Sequence, residues 1–147
     1  MSVPDVSSIV IERDVSIPMR DGVALVADVY RPAEGRWPVL VQRSPYGRIP
    51  FPDNFVSLNP VTAAAKGFAV IVQDVRGRGG SGGDFEPFME FDDGFDTVQW
   101  AAEQPWSTGR VGAFGLKRSG TNGVSNARPT LIATQSLPGG IWRWQIM

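Results

Sequence analysis

The sequence predicts an α/β fold in which helices alternate with the strands of a mostly parallel sheet. Short apolar runs bounded by glycine and proline recur along the chain, and the most apolar is 68–72. A run of this length with aromatic and β-branched residues is typical of a central parallel strand. A second apolar run, 110–114, ends at a glycine. The predicted order is β-β-β-α-β-α-β-α-β, parallel beyond an opening hairpin.

The opening hairpin is predicted from alternation and a turn. Val15 and Ile17 alternate with polar residues, as in a half-buried strand. Residues 19–22 end in Asp-Gly, a strong hairpin turn signal, and apolar residues alternate again over 23–29. The apolar run 38–42 then predicts a third, buried strand.

The later elements follow from helical spacing and from proline and glycine boundaries. A short helix is predicted over 60–66, with proline in its first turn. Apolar residues at helical spacing predict a second helix over 91–102, with carboxylates in its first turns and a tight contact at Gly94. A weak helix is predicted from Thr121, and a last strand over 131–134.

Composition limits the possible functions. The 147 residues suit one domain, 1–147, and the interspersed charges sum to −1, which argues against a nucleic-acid partner. No apolar run approaches the roughly 18 residues of a membrane span, and no secretory signal is visible, so we expect a cytoplasmic protein with no membrane partner. The chain has no cysteine and no histidine. These absences remove thiol catalysis, the usual general base and the commonest metal ligand, and we predict no cofactor and no metal site.

The strand predicted over 110–114 runs into a glycine-flanked turn. Gly115 and Gly120 bracket four residues, and a helix-permissive stretch follows. This pattern is typical of a nucleophile elbow, where glycines avoid collisions with the neighbouring strand and helix. The residue at the apex of such a turn is normally a serine, but here it is Lys117.

Seven segments between residues 15 and 115 together resemble one family, the α/β-hydrolases of the cocaine esterase and X-Pro dipeptidyl-peptidase type. The resemblance implies an incomplete α/β-hydrolase sheet with helices on both faces. It also implies a serine hydrolase that acts on a small-molecule ester or amide through an acyl-enzyme. The matching segments are 17–23, 28–32, 44–46, 67–77, 80–85, 96–100 and 104–112.

The resemblance assigns roles to individual residues. The nucleophile position falls on Lys117, and the oxyanion donors fall on the Tyr46 hydroxyl and the backbone N–H of Arg118. An activated lysine nucleophile is the less favoured interpretation of Lys117, compared with a solvated lysine on a degraded elbow. Ser119 could be a displaced nucleophile, but a helix N-cap or surface hydroxyl is preferred.

The departures from the family suggest a chain that no longer catalyses the family reaction. The family's cap and C-terminal jelly-roll domains have no counterpart, and we expect a truncated or frame-shifted copy, scrambled near 116–118 and after 140. An open sheet edge would then favour self-association. One alternative is a non-catalytic binding module that keeps the pocket around Tyr46. A less favoured alternative is a nucleotide-binding domain that uses the glycine-rich loop 77–83.

The carboxylates at 90–96 and the arginines at 76 and 78 are predicted to stabilise the fold rather than to bind a ligand. The carboxylates at 90–96 are interpreted as a charged helix start rather than a metal site. Arg76 and Arg78 are expected to form structural ion pairs with Asp74 or Asp84.

Overall fold

One mixed sheet organises the part of the chain that the computed structural model describes, namely residues 8–48, 59–86, 91–114, 132–136 and 142–146. Its strand order is β1-β2-β4-β3-β5-β6-β7. The elements along the chain are β1 (Ile9–Pro18), β2 (Ala24–Pro32), β3 (Trp37–Ser44), α1 (Pro60–Ala65), β4 (Ala69–Asp74), α2 (Phe91–Glu103), β5 (Ser107–Phe114), β6 (Ile132–Ser136) and β7 (Trp142–Ile146).

The predicted opening hairpin is confirmed. Strands β1 and β2 pair antiparallel along their length, and the Met19 N–H donates to the Val23 carbonyl at 2.8 Å across the turn. Gly22 adopts φ 85°, which only glycine reaches without strain. A bulge interrupts β1 between Glu12 and Val15, and Asp14 lies there at φ 55°. The bulge redirects the side chain and the amide of Asp14.

Strands β3, β4 and β5 form the parallel centre of the sheet. Strand β3 pairs with β4 from Val39↔Ala69 to Ser44↔Asp74, and with β5 up to Gln42↔Phe114. All six residues of β4 are buried, as the apolar run predicted. The other edge of β4 pairs antiparallel with β2, which joins the hairpin to the parallel strands.

The two helices cover opposite faces of this sheet, as expected. Val98 of α2 packs in one apolar cluster with Ile71 of β4, whereas Ala64 of α1 packs in another with Val70 and Val72. The alternation of β4 side chains between the two clusters is the two-residue period of a strand that is buried on both sides.

The final strands depart from the predicted parallel arrangement. The strand predicted over 131–134 is β6, and it pairs antiparallel with β5 through Val111↔Thr134 to Ala113↔Ile132. Strand β7, which the sequence did not predict, pairs antiparallel with β6. A short apolar run has the same pattern in either direction, so the pattern could not specify the direction of β6. The helix predicted from Thr121 lies outside the described residues. Within them, no helix is both long enough and apolar enough to cross a bilayer.

Candidate active site

The candidate active site lies at the edge of the sheet where the three parallel strands end. Ser44 and Asp74 are register partners at the ends of β3 and β4, and Phe114, which ends β5, is the register partner of Gln42. The segments that follow parallel strands emerge on the same side of a sheet, which is where ligands bind in folds of this kind. The described segments at this edge are 45–48 after β3 and 75–86 after β4.

Tyr46 lies at this edge, in the loop directly after β3. The residue is 58% exposed, and its backbone N–H donates to Ser44 Oγ at 3.1 Å. Gly47 follows at φ 98°, with no heavy atom near the place of a Cβ. The loop therefore presents a phenol towards solvent beside the strand ends. The role of Tyr46 as an oxyanion donor stays a prediction.

The other three predicted site residues lie outside the described part of the chain. The description of β5 ends at Phe114, three residues before Lys117, and it resumes at Ile132. Lys117, Arg118 and Ser119 therefore remain predictions from the elbow pattern.

An ionic cluster that the sequence did not reveal is built around Arg48, two residues after Tyr46. Arg48 donates from Nε to Asp74 at 2.9 Å and from Nη2 to Asp14 at 2.7 Å, and its Nη1 contacts Asp28. Asp28 also accepts from Arg13 at 2.7 Å. Sequence patterns could not find this cluster because its members come from four segments. The signal available was the presence of buried-strand aspartates at 28 and 74, which require cationic partners.

The glycine-rich loop 77–83 is folded onto the protein rather than opened towards a ligand. Its backbone N–H groups at 77, 78, 80, 81 and 82 all donate to protein oxygens at 2.9–3.0 Å. The Ser81 hydroxyl accepts from the Val26 N–H and donates to the Asp74 carbonyl, which fixes the loop to β2 and β4. A phosphate cradle needs converging, unoccupied N–H groups, so this geometry does not support the nucleotide-binding alternative.

A second ionic cluster anchors the start of α2. Arg76 makes two bonds to Asp93, at 2.8 and 2.7 Å, and pairs with Asp21 at 2.9 Å. The hydrogen bonds that Arg76 donates, first to Asp93 and then to Asp21, raise its pKa. The predicted partners, Asp74 and Asp84, were therefore wrong for Arg76, although the structural role was right. Arg78 instead lies over the Phe85 ring, 4.2 Å from its centroid.

A further carboxylate of α2, Asp96, pairs with Arg20. Asp96 accepts from the Arg20 backbone N–H at 2.9 Å and from the Arg20 guanidinium at 2.8–3.1 Å, and the side-chain bond is the main cause of the lowered pKa of Asp96.

A polar cleft of about 530 Å³ lies between Arg20, Arg76 and the carboxylates around them. Among the residues that the structure covers, no group of histidine, cysteine and carboxylate side chains could hold a metal ion.

The mixed sheet, the helices on its two faces and the loops at its carboxyl edge define an incomplete α/β-hydrolase. The model of the X-Pro dipeptidyl-peptidase (S15) family matches residues 21–136, and the chain belongs to that family.

Individual relatives agree with this assignment. Cocaine esterase of Rhodococcus sp. (strain MB1 Bresler) is 43% identical over 110 residues, which are 73% of this chain and 19% of the esterase. A CocE/NonD family hydrolase from Staphylococcus aureus is similar in structure, with a TM-score of 0.63 and 27% identity over 71% of this chain and 22% of the hydrolase. An aminopeptidase from a Thaumarchaeota archaeon of marine sediment has a TM-score of 0.61 and 27% identity, over 80% of this chain and 23% of the aminopeptidase. The chain thus spans about a fifth of the length of these relatives.

Proposed function

We propose that this chain carries the oxyanion-binding part of an acyl-transfer site, within the N-terminal portion of a serine hydrolase for ester or amide substrates. The observation that carries the proposal is the exposed phenol of Tyr46, directly after β3 at the carboxyl edge of the parallel strands. A hydroxyl held there can donate to the acyl oxygen as negative charge develops on it. One such donor is typically worth about 3 kcal/mol of transition-state stabilisation.

The 147-residue chain itself lacks the groups for the covalent step. In an intact site of this class, a serine hydroxyl at the position of Lys117 attacks the acyl carbon while a histidine accepts its proton. This chain has no histidine and no cysteine, and a protonated lysine has no lone pair for attack. We therefore expect it to bind acyl groups without triad-dependent turnover.

A turnover assay tests the second part of the proposal. The chain should hydrolyse p-nitrophenyl acetate no faster than a lysine-containing control protein at the same concentration, with or without a serine-directed phosphonate. A rate well above that background, abolished by the phosphonate, would contradict it.

A binding assay tests the role of Tyr46. Benzoate, a carboxylate with the oxygens of a hydrolysis product, should raise the melting temperature of the wild-type chain and not that of Tyr46→Phe. The matched control is Tyr30→Phe, since Tyr30 is the only other tyrosine and is buried. Equal stabilisation of wild type and Tyr46→Phe would refute the assignment. Stabilisation by AMP alone would favour the nucleotide-binding alternative.

A further inference from the structure

Arg48 links the loop after β3 to three separate parts of the sheet. Each guanidinium nitrogen contacts a different carboxylate, with Nε on Asp74, Nη1 on Asp28 and Nη2 on Asp14. Asp28 lies in β2, Asp74 ends β4, and Asp14 lies in the bulge of β1. The planar guanidinium has its donors in a fixed arrangement, so three simultaneous bonds determine its orientation as well as its position.

The burial of these partners makes the cluster rigid. The side chains of Asp28 and Asp74 are 4% and 2% exposed, and that of Arg48 is 17% exposed. Buried carboxylates are costly without a cation or strong donors. Asp28 has a second cation in Arg13, whereas Asp74 accepts from Arg48 Nε and from the Gly80 N–H. Arg48 is therefore held where the charge of Asp74 requires it.

The bulge in β1 adds a third anchor. At φ 55°, Asp14 directs its N–H to Asp28 Oδ1 at 3.1 Å and its carboxylate to Arg48 Nη2 at 2.7 Å. The Asp14 side chain is 73% exposed, so this bond orients the Arg48 guanidinium more than it stabilises the fold. Bulges beside functional sites often redirect side chains in this way.

Tyr46 lies between two fixed points. On one side, Ser44 ends β3, and its carbonyl accepts from the Val75 N–H at 3.1 Å. On the other side, Arg48 is held by the three carboxylates. Only Tyr46 and its two neighbours, Pro45 and Gly47, separate these points, so the backbone that carries the phenol has little freedom to move.

We propose that Arg48 is a positioning residue that holds Tyr46 in the orientation needed to donate to an acyl oxygen. The proposal rests on the function proposed for Tyr46 above. A purely structural role for Arg48 would stabilise the sheet without affecting the environment of the Tyr46 ring. The environment of that ring therefore distinguishes a positioning role from a structural one.

Fluorine NMR of the chain labelled with 3-fluorotyrosine tests this proposal. The chain contains only Tyr30 and Tyr46, so the spectrum has two signals, and Tyr30→Phe assigns them. The test variants are Arg48→Lys, which keeps the charge but cannot make three directed bonds, and Asp14→Asn, which weakens one bond at an exposed position. The matched control is Arg31→Lys. Arg31 is 18% exposed and pairs with Glu12 towards the opposite end of the sheet.

In Arg48→Lys, the Tyr46 signal should move at least half of the way towards the shift of free 3-fluorotyrosine and become narrower. Asp14→Asn should move it in the same direction by a smaller amount, and Arg31→Lys should leave it unchanged. If Arg48→Lys does not fold, the Asp14→Asn spectrum decides. An unchanged Tyr46 signal in every folded test variant would overturn the proposal, even if the melting temperature falls.

The same spectra distinguish the two proposals. Displacement of the Tyr46 signal by Arg48→Lys or Asp14→Asn without ligand tests positioning alone. Displacement of the wild-type Tyr46 signal by benzoate tests the oxyanion role. A response to the variants with no response to benzoate would show that Arg48 fixes the Tyr46 ring and would refute the oxyanion role for which that orientation was proposed.

Discussion

Substitution of Gly79 by alanine should destabilise the chain far more than substitution of Gly22. Both glycines have positive φ, at 54° and 85°, so a side chain adds backbone strain of about 1–2 kcal/mol at either position. The surroundings differ. A Cβ at Gly22 would meet nothing within 4 Å, whereas a Cβ at Gly79 would lie 2.3 Å from Asp74 Oδ2 and 2.4 Å from its Cγ.

The extra cost at Gly79 can be worked out from the bonds of Asp74. To admit the methyl group, the Asp74 carboxylate must move away from the two groups that donate to its Oδ2. These are Arg48 Nε at 2.9 Å and the Gly80 N–H at 3.0 Å. Bonds to a charged group contribute at least about 1.5 kcal/mol each, so Gly79→Ala should cost about 3 kcal/mol more than Gly22→Ala. With an m-value of about 2 kcal/mol/M, the urea midpoints of the two variants should differ by about 1.5 M.

Equilibrium unfolding in urea, followed by tryptophan fluorescence, measures this difference. Gly22→Ala serves as the control for backbone strain, since it shares the positive φ without the contact. Equal midpoints for the two variants would refute the reasoning, because they would show that Asp74 moves at no cost or that the loop does not pack on it.

Two further predictions concern the ion pairs of α2. Arg76→Met should lower the free energy of unfolding by about 3 kcal/mol, since it leaves the buried carboxylate of Asp93 without its guanidinium partner. Adding Asp93→Asn should restore part of the loss. Urea denaturation of the single and double variants checks this, and no recovery would contradict it. The pKa of Asp96 is lowered chiefly by its bond from Arg20, so its contribution is present above the unfolded pKa and should be lost as pH falls below about 5. Thermal unfolding of wild type and Asp96→Asn should therefore converge as pH falls from 6 to 2, and a constant difference would exclude this linkage.

Much of the fold could be predicted because its signals are local. The Asp-Gly turn, the alternation in the hairpin and the apolar run at 68–72 each specify their element without reference to distant residues. At Gly94, where a tight contact was expected, a Cβ would lie 3.4 Å from Arg43 Nη1, which is close to an ordinary van der Waals distance. The resemblance added the α/β-hydrolase fold, which no local pattern supplies.

What could not be predicted depends on contacts between distant segments. The partners of Arg76, Asp21 and Asp93, are 55 and 17 residues away in the sequence. The sequence instead predicted the nearer carboxylates at 74 and 84. Arg48 was likewise absent from the predicted site, although it lies two residues from Tyr46. Its role depends on Asp14, Asp28 and Asp74 coming together, which only the bulge and the strand register bring about.

The arrangement around Arg48 gives a physical reason why the Tyr46 loop would keep its geometry without a nucleophile. The two carboxylates that hold Arg48 most tightly are buried in the sheet, and Asp74 also organises the glycine loop through the Gly80 N–H. Loss of Arg48 would therefore cost stability as well as orientation. If Tyr46 is the oxyanion donor proposed above, this cost in stability would preserve its loop whether or not a nucleophile is present.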